Sequence, residues 1–137
     1  HIQDYSMDPE SPYAPGKPTH EFKSEVAPLD QEIVVEKRTN NAFIGTDLMT
    51  VLEDIGSTEL VICGVHLHQC VESTIRMAGN LGFMVFLPED CVVTTDITDR
   101  NGKKWSAEDV HALTLGILDG SYAKVLKSED LMGEAVQ

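Results

Sequence analysis

Short apolar runs and amphipathic stretches alternate along this chain, and the two patterns predict different elements. The runs at 32–37 (EIVVEK), 59–65 (ELVICGV) and 83–93 (FMVFLPEDCVV) are apolar and rich in β-branched residues, which predicts buried strands. Pro88 has no N–H to donate, so the third strand should end there. A short closing strand is expected at about 122–126. Strands that are apolar throughout are typical of parallel sheets whose two faces are both covered.

Helices are predicted between these strands, where apolar residues recur at helical spacing. Within 48–55 they fall at i, i+3, i+4 and i+7, and Thr46 can cap the start while Gly56 can end it. A second helix is expected at about 69–80, and a third after Ser106, its candidate cap. The third helix should bury a stripe that comprises Ala107, Val110, Leu113, Ile117 and Leu118. Strands that alternate with amphipathic helices predict the α/β class, with helices on both faces of a parallel sheet.

The first 31 residues follow neither pattern. They contain five of the six prolines together with many acidic residues, so they predict an extended, irregular connection or flap and not a long helix. At 137 residues the whole chain has the length of about one domain. We therefore expect a single domain over 1–137, with the connection at 1–31.

Composition and charge limit the kinds of partner that this chain can bind. The chain has 23 acidic and 10 basic residues, a formal charge of -13, which argues against binding to nucleic acids and to acidic membranes. No apolar run approaches the roughly 20 residues that span a bilayer. The three cysteines have no C-x-x-C spacing, which favours free thiols in a reducing compartment. These observations favour a cytoplasmic protein whose partners are neither nucleic acids nor membranes.

Residues that could take part in catalysis follow two of the predicted strands. Open parallel sheets bind ligands beyond the carboxyl ends of their strands, where Lys37 and the stretch from His66 to Cys70 lie, and one crossover would bring both to the same edge. Near the first turn of a helix, Cys70 would have a lowered thiol pKa and would be an activated nucleophile. Free cysteine is also among the most often buried residues, so position alone favours a structural cysteine.

Longer stretches of the sequence favour a catalytic role for Cys70 over a structural one. The sequence from Glu32 to Leu126, with "KRTNNAFIGTDL", "GVHLHQCVESTIRMAGNLG" and "WSAEDVHALTLGIL", resembles the isochorismatase-like cysteine hydrolases in residue identity and spacing. The resemblance implies a three-layer αβα, Rossmann-like fold. It also implies hydrolysis of C–N bonds in amides and carbamoyl groups by an Asp-Lys-Cys triad, or of a vinyl ether in one branch.

The resemblance also implies roles for particular residues. Cys70 would be the nucleophile that forms a thioester, and Lys37 the lysine of the triad. A cis peptide bond is expected between Val65 and His66, and the backbone amides of His66 and Cys70 would form the oxyanion hole. The substrate pocket would be lined by Phe43, His66 and Leu67.

Several features depart from the family pattern. Nothing in the chain matches the triad aspartate, and Asp4, Asp8 and Asp30 are expected to be poor substitutes because they lie in the Pro-rich connection. His1 resembles the histidine that ends the second strand, so we expect the full protein to have a strand and a helix before it, which makes this domain N-terminally incomplete.

Metal binding is not expected. The nicotinamidase branch binds a metal through an aspartate and closely spaced histidines, whereas the next histidine after His1 is His20. His66 and His68 are expected to shape a pocket and not to form a ligand pair. The remaining candidates are predicted to be structural or inert, namely His111, Cys63 and Cys91.

The resemblance thus implies a cysteine hydrolase that acts on a small molecule without a cofactor and assembles as a homo-oligomer, either a dimer or a tetramer. Two rival hypotheses stay open. One is an isochorismatase-type vinyl ether hydrolase, which would need an anion-binding pocket. The other is a non-catalytic binding or assembly protein that has lost the triad aspartate.

Overall fold

The computed structural model describes residues 1–134, and the chain divides into two compact units, His1–Ile55 and a second one that begins at Gly56. Each unit is described by itself. Both contain parallel strands and helices, as the sequence pattern predicted for the α/β class.

The first unit is built on two short parallel strands. Strand β1 (Ile2–Asp4) pairs with β2 (Val35–Lys37) in the register Ile2↔Val35, Gln3↔Glu36 and Asp4↔Lys37. Between them the chain makes a series of turns and one 3-10 helix (Ser24–Val26). The chain from Tyr5 to Val34 thus consists of turns and this one short 3-10 helix.

Helix α1 (Leu48–Asp54) completes the first unit. The Thr46 hydroxyl accepts a hydrogen bond from Leu48 N at 3.4 Å, close to the predicted capping role, although Asp47 is the residue that precedes the helix. Gly56 follows the helix with a φ of 68°, a left-handed conformation that glycine adopts without steric cost. Leu52 is buried, whereas Ile55 is 67% exposed.

The second unit contains a three-stranded parallel sheet in the order β3 (Glu59–Val61), β5 (Met84–Pro88), β9 (Lys124–Leu126). A parallel pair, β4 (Gly64–Val65) with β6 (Val92–Val93), follows the ends of β3 and β5. An antiparallel hairpin, which was not predicted, is formed by β7 (Ile97–Thr98) and β8 (Lys104–Trp105).

The observed strands are shorter than the predicted ones. The run at 32–37 is a strand only over Val35–Lys37, and the run at 122–126 only over Lys124–Leu126. The other two predicted strands also differ in outline. The run at 59–65 forms β3 and β4 separately, because Gly64 has a φ of 130° and the chain leaves one neighbour for another there. The run at 83–93 ends as a strand at Pro88, as predicted, and continues as a 3-10 turn (Glu89–Cys91) before β6.

The helices of the second unit supply most of its core. They are α2 (Glu72–Asn80), preceded by a π-helical turn (Leu67–Val71), then α3 (Ala107–Leu118) and α4 (Ser128–Glu134), which was not predicted. The largest fully buried side chains are Leu67, Ile75, Leu87 and Leu118. Among residues 1–134, no helix is long and apolar enough to cross a membrane.

The buried face of α3 is rotated from the predicted one. Its buried residues are Val110, Thr114, Leu115 and Leu118. Leu113 and Ile117 are 63% and 46% exposed, so their assignment to the core was wrong. The predicted cap is correct, because the Ser106 hydroxyl accepts a hydrogen bond from Asp109 N at 3.1 Å.

Candidate active site

Lys37 is the last residue of β2 and is buried, at 4% exposure. Its Nζ donates hydrogen bonds to Asp4 Oδ2 at 2.5 Å and to the Thr39 carbonyl at 3.0 Å. A buried ammonium is costly unless an anion and further acceptors satisfy it. The first unit supplies both, from the ends of β1 and β2.

Asp4 lies in a different environment from the one expected. The sequence suggested that it belonged to the Pro-rich connection and would be a poor partner for the lysine. In the structure it ends β1, and the parallel register puts it directly opposite Lys37. The only hint of a strand in the sequence before Asp4 was the apolar Ile2. A single apolar residue is too short a pattern to predict a strand.

The segment after β2 holds Phe43, predicted to line the substrate pocket. This segment makes several tight turns, and in one of them Phe43 N donates a hydrogen bond to Asn41 Oδ1 at 3.0 Å. Ala42 is almost fully buried, at 1% exposure, and anchors this turn in the first unit. Phe43 itself is half-buried.

Cys70 belongs to the second unit. It lies in the π-helical turn Leu67–Val71, which runs directly into α2, so it is in the first turn of a continuous helical segment. The residue is half-buried. The positive end of a helix dipole stabilises a thiolate in such a position.

His66 begins this helical segment. The peptide bond between Val65 and His66 is cis, which is the bond that the family resemblance singles out. The His66 carbonyl accepts hydrogen bonds from Gln69 N at 3.1 Å and Val71 N at 3.3 Å, so the backbone curls tightly around the position before Cys70. Its side chain is half-buried, as a pocket residue would be.

Leu67, also predicted to line the pocket, is fully buried. An aliphatic side chain in this loop packs into the core of the second unit because that removes its apolar surface from water. In this structure it therefore anchors the loop and has no surface to offer a substrate.

The two loop histidines lie near each other, with ring centroids 6.0 Å apart in an edge-to-face arrangement. His68 Nδ1 is hydrogen-bonded to the Thr94 hydroxyl, which follows β6. His111 Nε2 is bonded to the Glu89 carbonyl at 3.1 Å, and this contact gives it the structural role that was expected.

The charges nearest to Cys70 along the helix neutralise each other. Glu72, two residues further on, accepts from Arg76 Nη2 at 2.7 Å in an i,i+4 pair. The hydrogen bond that Arg76 donates to Glu72 is the main reason that the pKa of Arg76 is raised. The arginine thereby offsets a carboxylate that would otherwise disfavour a thiolate.

Cys63 and Cys91 were expected to be buried or inert, and both are exposed. Even so, partial burial of the Cys63 thiol raises its pKa, and the neighbouring Cys91 raises it further. A raised pKa keeps Cys63 protonated, and therefore weakly nucleophilic, at neutral pH.

No group of three or more His, Cys, Asp or Glu side chains that could hold a metal occurs among the described residues, 1–134. The side chain of His1 has its Nε2 3.0 Å from Glu32 Oε2. The side chain of His20 packs edge to face on Tyr5, with ring centroids 6.2 Å apart.

Comparisons with known proteins agree on one family. The family model described as the isochorismatase domain matches residues 5–129. The crystal structure of an isochorismatase-family protein from Chromobacterium violaceum superposes with a TM-score of 0.94 at 50% sequence identity, over 97% of this chain and 69% of that one.

Some of the curated relatives carry an activity in their names. Streptothricin hydrolase from Streptomyces noursei is 42% identical over 84 residues, 61% of this chain and 30% of the relative. Nicotinamidase 3 from Arabidopsis thaliana is 32% identical over 111 residues, 81% of this chain and 50% of the relative. The chain thus spans half or less of the length of these two proteins.

Proposed function

The chain belongs to the isochorismatase family of hydrolases, and on that premise we propose that it is a cysteine hydrolase that cleaves a C–N bond of a small amide or carbamoyl substrate. The observation that supports this most is the position of Cys70, half-buried in the first helical turn after the Val65–His66 cis bond. The names of the streptothricin hydrolase and nicotinamidase relatives support hydrolysis as the reaction type.

The proposed reaction has two stages. The Cys70 thiolate attacks the carbonyl carbon, and the new C–S bond gives a tetrahedral oxyanion held by the backbone amides of His66 and Cys70. When the C–N bond breaks, the nitrogen takes a proton from the Lys37 ammonium and leaves as ammonia or an amine. Water then attacks the thioester and returns a proton to Lys37, which gives a carboxylic acid and regenerates the thiolate.

Lys37 is assigned the role of the triad lysine in this reaction. Its ammonium would stabilise the thiolate, donate a proton to the leaving nitrogen and regain one from the attacking water. Phe43 and the His66 side chain are proposed to line the substrate pocket, and both are half-buried, as that role requires. The protein is further proposed to work in the cytoplasm. It is also proposed to form a dimer or tetramer, and light scattering on the purified protein would test this assembly.

The test of this function is a substrate panel applied to the full-length protein. Nicotinamide, simple aliphatic amides and N-carbamoyl amino acids would be assayed for release of ammonia, and isochorismate for release of pyruvate. We expect ammonia release together with a Cys70 acyl-enzyme visible in the intact mass at short times. Release of pyruvate alone would favour the vinyl ether hydrolase, and activity that survives Cys70→Ala would refute the thioester mechanism.

A further inference from the structure

The two exposed cysteines of the second unit lie where the parallel strands β4 and β6 begin. Gly64 and Val92 form the first pair of this ladder. Cys63 and Cys91 are the residues immediately before them in the sequence. Consecutive Cα atoms are about 3.8 Å apart and neighbouring strands about 4.8 Å apart, so the two cysteines occupy adjacent positions on neighbouring chains.

The pattern of exposure indicates that both thiols lie on the same side of this ladder. Val65 and Val93 form its second pair and are 60% and 56% exposed, whereas Val92 is buried. Cys63 and Cys91 come two positions before this exposed pair and are exposed as well. Side chains two positions apart along a strand project to the same face. The exposure of all four side chains agrees with that arrangement.

A second observation also indicates that the thiols are close. Burial is the main cause of the raised pKa of Cys63, and the electrostatic effect of Cys91 raises this pKa further. A like charge has such an effect only at short range, because solvent and salt screen charges that lie further apart. The pairing of the strands and the electrostatics therefore agree that Cys63 and Cys91 are neighbours.

We propose that Cys63 and Cys91 are a redox-active thiol pair, which a low-molecular-weight disulfide such as oxidised glutathione converts to a disulfide bond within the chain. The spacing of neighbouring strands lies within the range of roughly 4.4–6.8 Å between the Cα atoms of bridged cysteines. Exposed disulfides are easily reduced, so the pair is a dithiol in a reducing compartment and closes when oxidised glutathione accumulates. This inference does not depend on the reaction proposed at Cys70.

The bond forms by two successive thiol–disulfide exchanges. The Cys91 thiolate attacks one sulfur of oxidised glutathione, the S–S bond breaks, and one glutathione thiolate leaves. The Cys63 thiolate then attacks the Cys91 sulfur of this mixed disulfide, and the second glutathione thiolate leaves. The leaving thiolates take up the protons that the cysteines lose. The protein is thus oxidised by two electrons, and oxidised glutathione is reduced to two thiols.

The experiment is a peptide map of the full-length protein after equilibration at neutral pH in glutathione buffers of increasing oxidised fraction. Free thiols are trapped with N-ethylmaleimide, and the digest is analysed by mass without reduction. Cys63→Ser and Cys91→Ser each remove one thiol of the pair, and Cys70→Ser is the matched control that removes the third cysteine. Circular dichroism before trapping measures the folded fraction of each sample.

We expect a cross-linked Cys63–Cys91 peptide in the unmodified protein and in Cys70→Ser, with oxidation midpoints within about twofold of each other. In Cys63→Ser, the mixed disulfide of Cys91 with glutathione should accumulate at least about tenfold more than in the unmodified protein, because no neighbouring thiol displaces it. In Cys91→Ser, no cross-linked peptide that contains Cys63 should form.

Several results would overturn the proposal. They are equal glutathionylation of Cys91 in Cys63→Ser and in the unmodified protein, a link from either cysteine to Cys70, a link between two chains, and a link that forms only in urea-unfolded protein. Absence of the Cys63–Cys91 peptide across the whole range of buffers would also refute it. If a serine variant fails to fold, the map of the unmodified protein decides.

Discussion

Asp4 and Lys37 close the β1–β2 ladder as an ion pair, with 2.5 Å between Oδ2 and Nζ. The residues are 33 positions apart, and the chain between them consists mainly of proline-rich turns. Their contact therefore depends on the pairing of two three-residue strands, and any change that loosens these strands should also release the lysine.

Replacement of Cys70 by alanine should abolish hydrolysis. Since the sulfur forms the covalent bond to the substrate in the proposed mechanism, we expect turnover to fall by at least about 10³-fold, with the melting temperature nearly unchanged. Ammonia release and a thermal unfolding curve measure the two quantities. Cys91→Ala is the matched control, and an equal loss of turnover in that variant would contradict a specific role for Cys70.

Alkylation of Cys63 should require a higher pH than that of an ordinary thiol. Partial burial, and to a smaller extent Cys91, raise the pKa of Cys63, so its thiolate appears only as the pH rises above the usual range. Labelling with iodoacetamide from pH 6 to 10, resolved by peptide mass, tests this. Cys91→Ser should lower the onset only in part, and an onset at or below that of a free cysteine peptide would disagree with the structure.

Two leucines of α3 should differ sharply in their effect on stability. Leu118 is fully buried, so Leu118→Ala should reduce the free energy of unfolding by about 2–5 kcal/mol. Leu113, on the same helix, is 63% exposed, and Leu113→Ala should change it by less than about 0.5 kcal/mol. Urea unfolding of both variants gives the comparison, and similar losses would mean that the buried face of α3 is misassigned.

The N-terminus of α3 should depend on the Ser106 hydroxyl. This oxygen accepts a hydrogen bond from Asp109 N, so Ser106→Ala should cost about 1 kcal/mol of stability. Ser106→Asp keeps an acceptor at the cap and should cost much less. Thermal unfolding of the two variants measures the difference, and equal losses would argue against capping.

Docking of α4 should weaken in acid. Asp90 accepts hydrogen bonds from Ser128 N at 2.9 Å and from Ser128 Oγ at 2.6 Å, and these bonds are the main cause of its lowered pKa. A lowered pKa in the folded protein stabilises this contact above the ordinary carboxyl pKa of 3.8, and the effect is lost as the pH falls through the lowered value.

Hydrogen exchange at the Ser128 amide measures this effect. Protection of this amide against exchange should be retained at pH 5 and should decline below pH 4. Asp90→Asn should remove that acid-dependent step, since an amide does not titrate. A decline of the same size in the Asn variant would assign the acid sensitivity to another group.

Several elements could be predicted because they depend on neighbours in the sequence. Ser106 caps α3 through a residue only three positions away, and Pro88 ends β5 because it lacks an N–H wherever it stands. The motif around Cys70 was likewise local, since the residues from Gly64 to Val71 form one strand end and one helical turn.

Other features could not be predicted because they depend on distant partners. The split of 59–65 into β3 and β4 reflects two different neighbours, β5 and β6, which no local pattern identifies. The face of α3 was misjudged at Leu113 and Ile117 because hydrophobicity does not show which side of a helix finds a partner. A three-residue strand such as β1 has too few positions for a detectable alternation.

By itself, the sequence determined the α/β class, the caps and breaks of the main elements, and the family to which this chain belongs, because all of these depend on residue type and short-range spacing. Tertiary structure alone decided that Asp4 meets Lys37, that Leu67 is buried beneath the Cys70 loop, and that Cys63 and Cys91 are exposed. These outcomes depend on strand register and packing, in which groups far apart along the chain determine one another's solvation and charge.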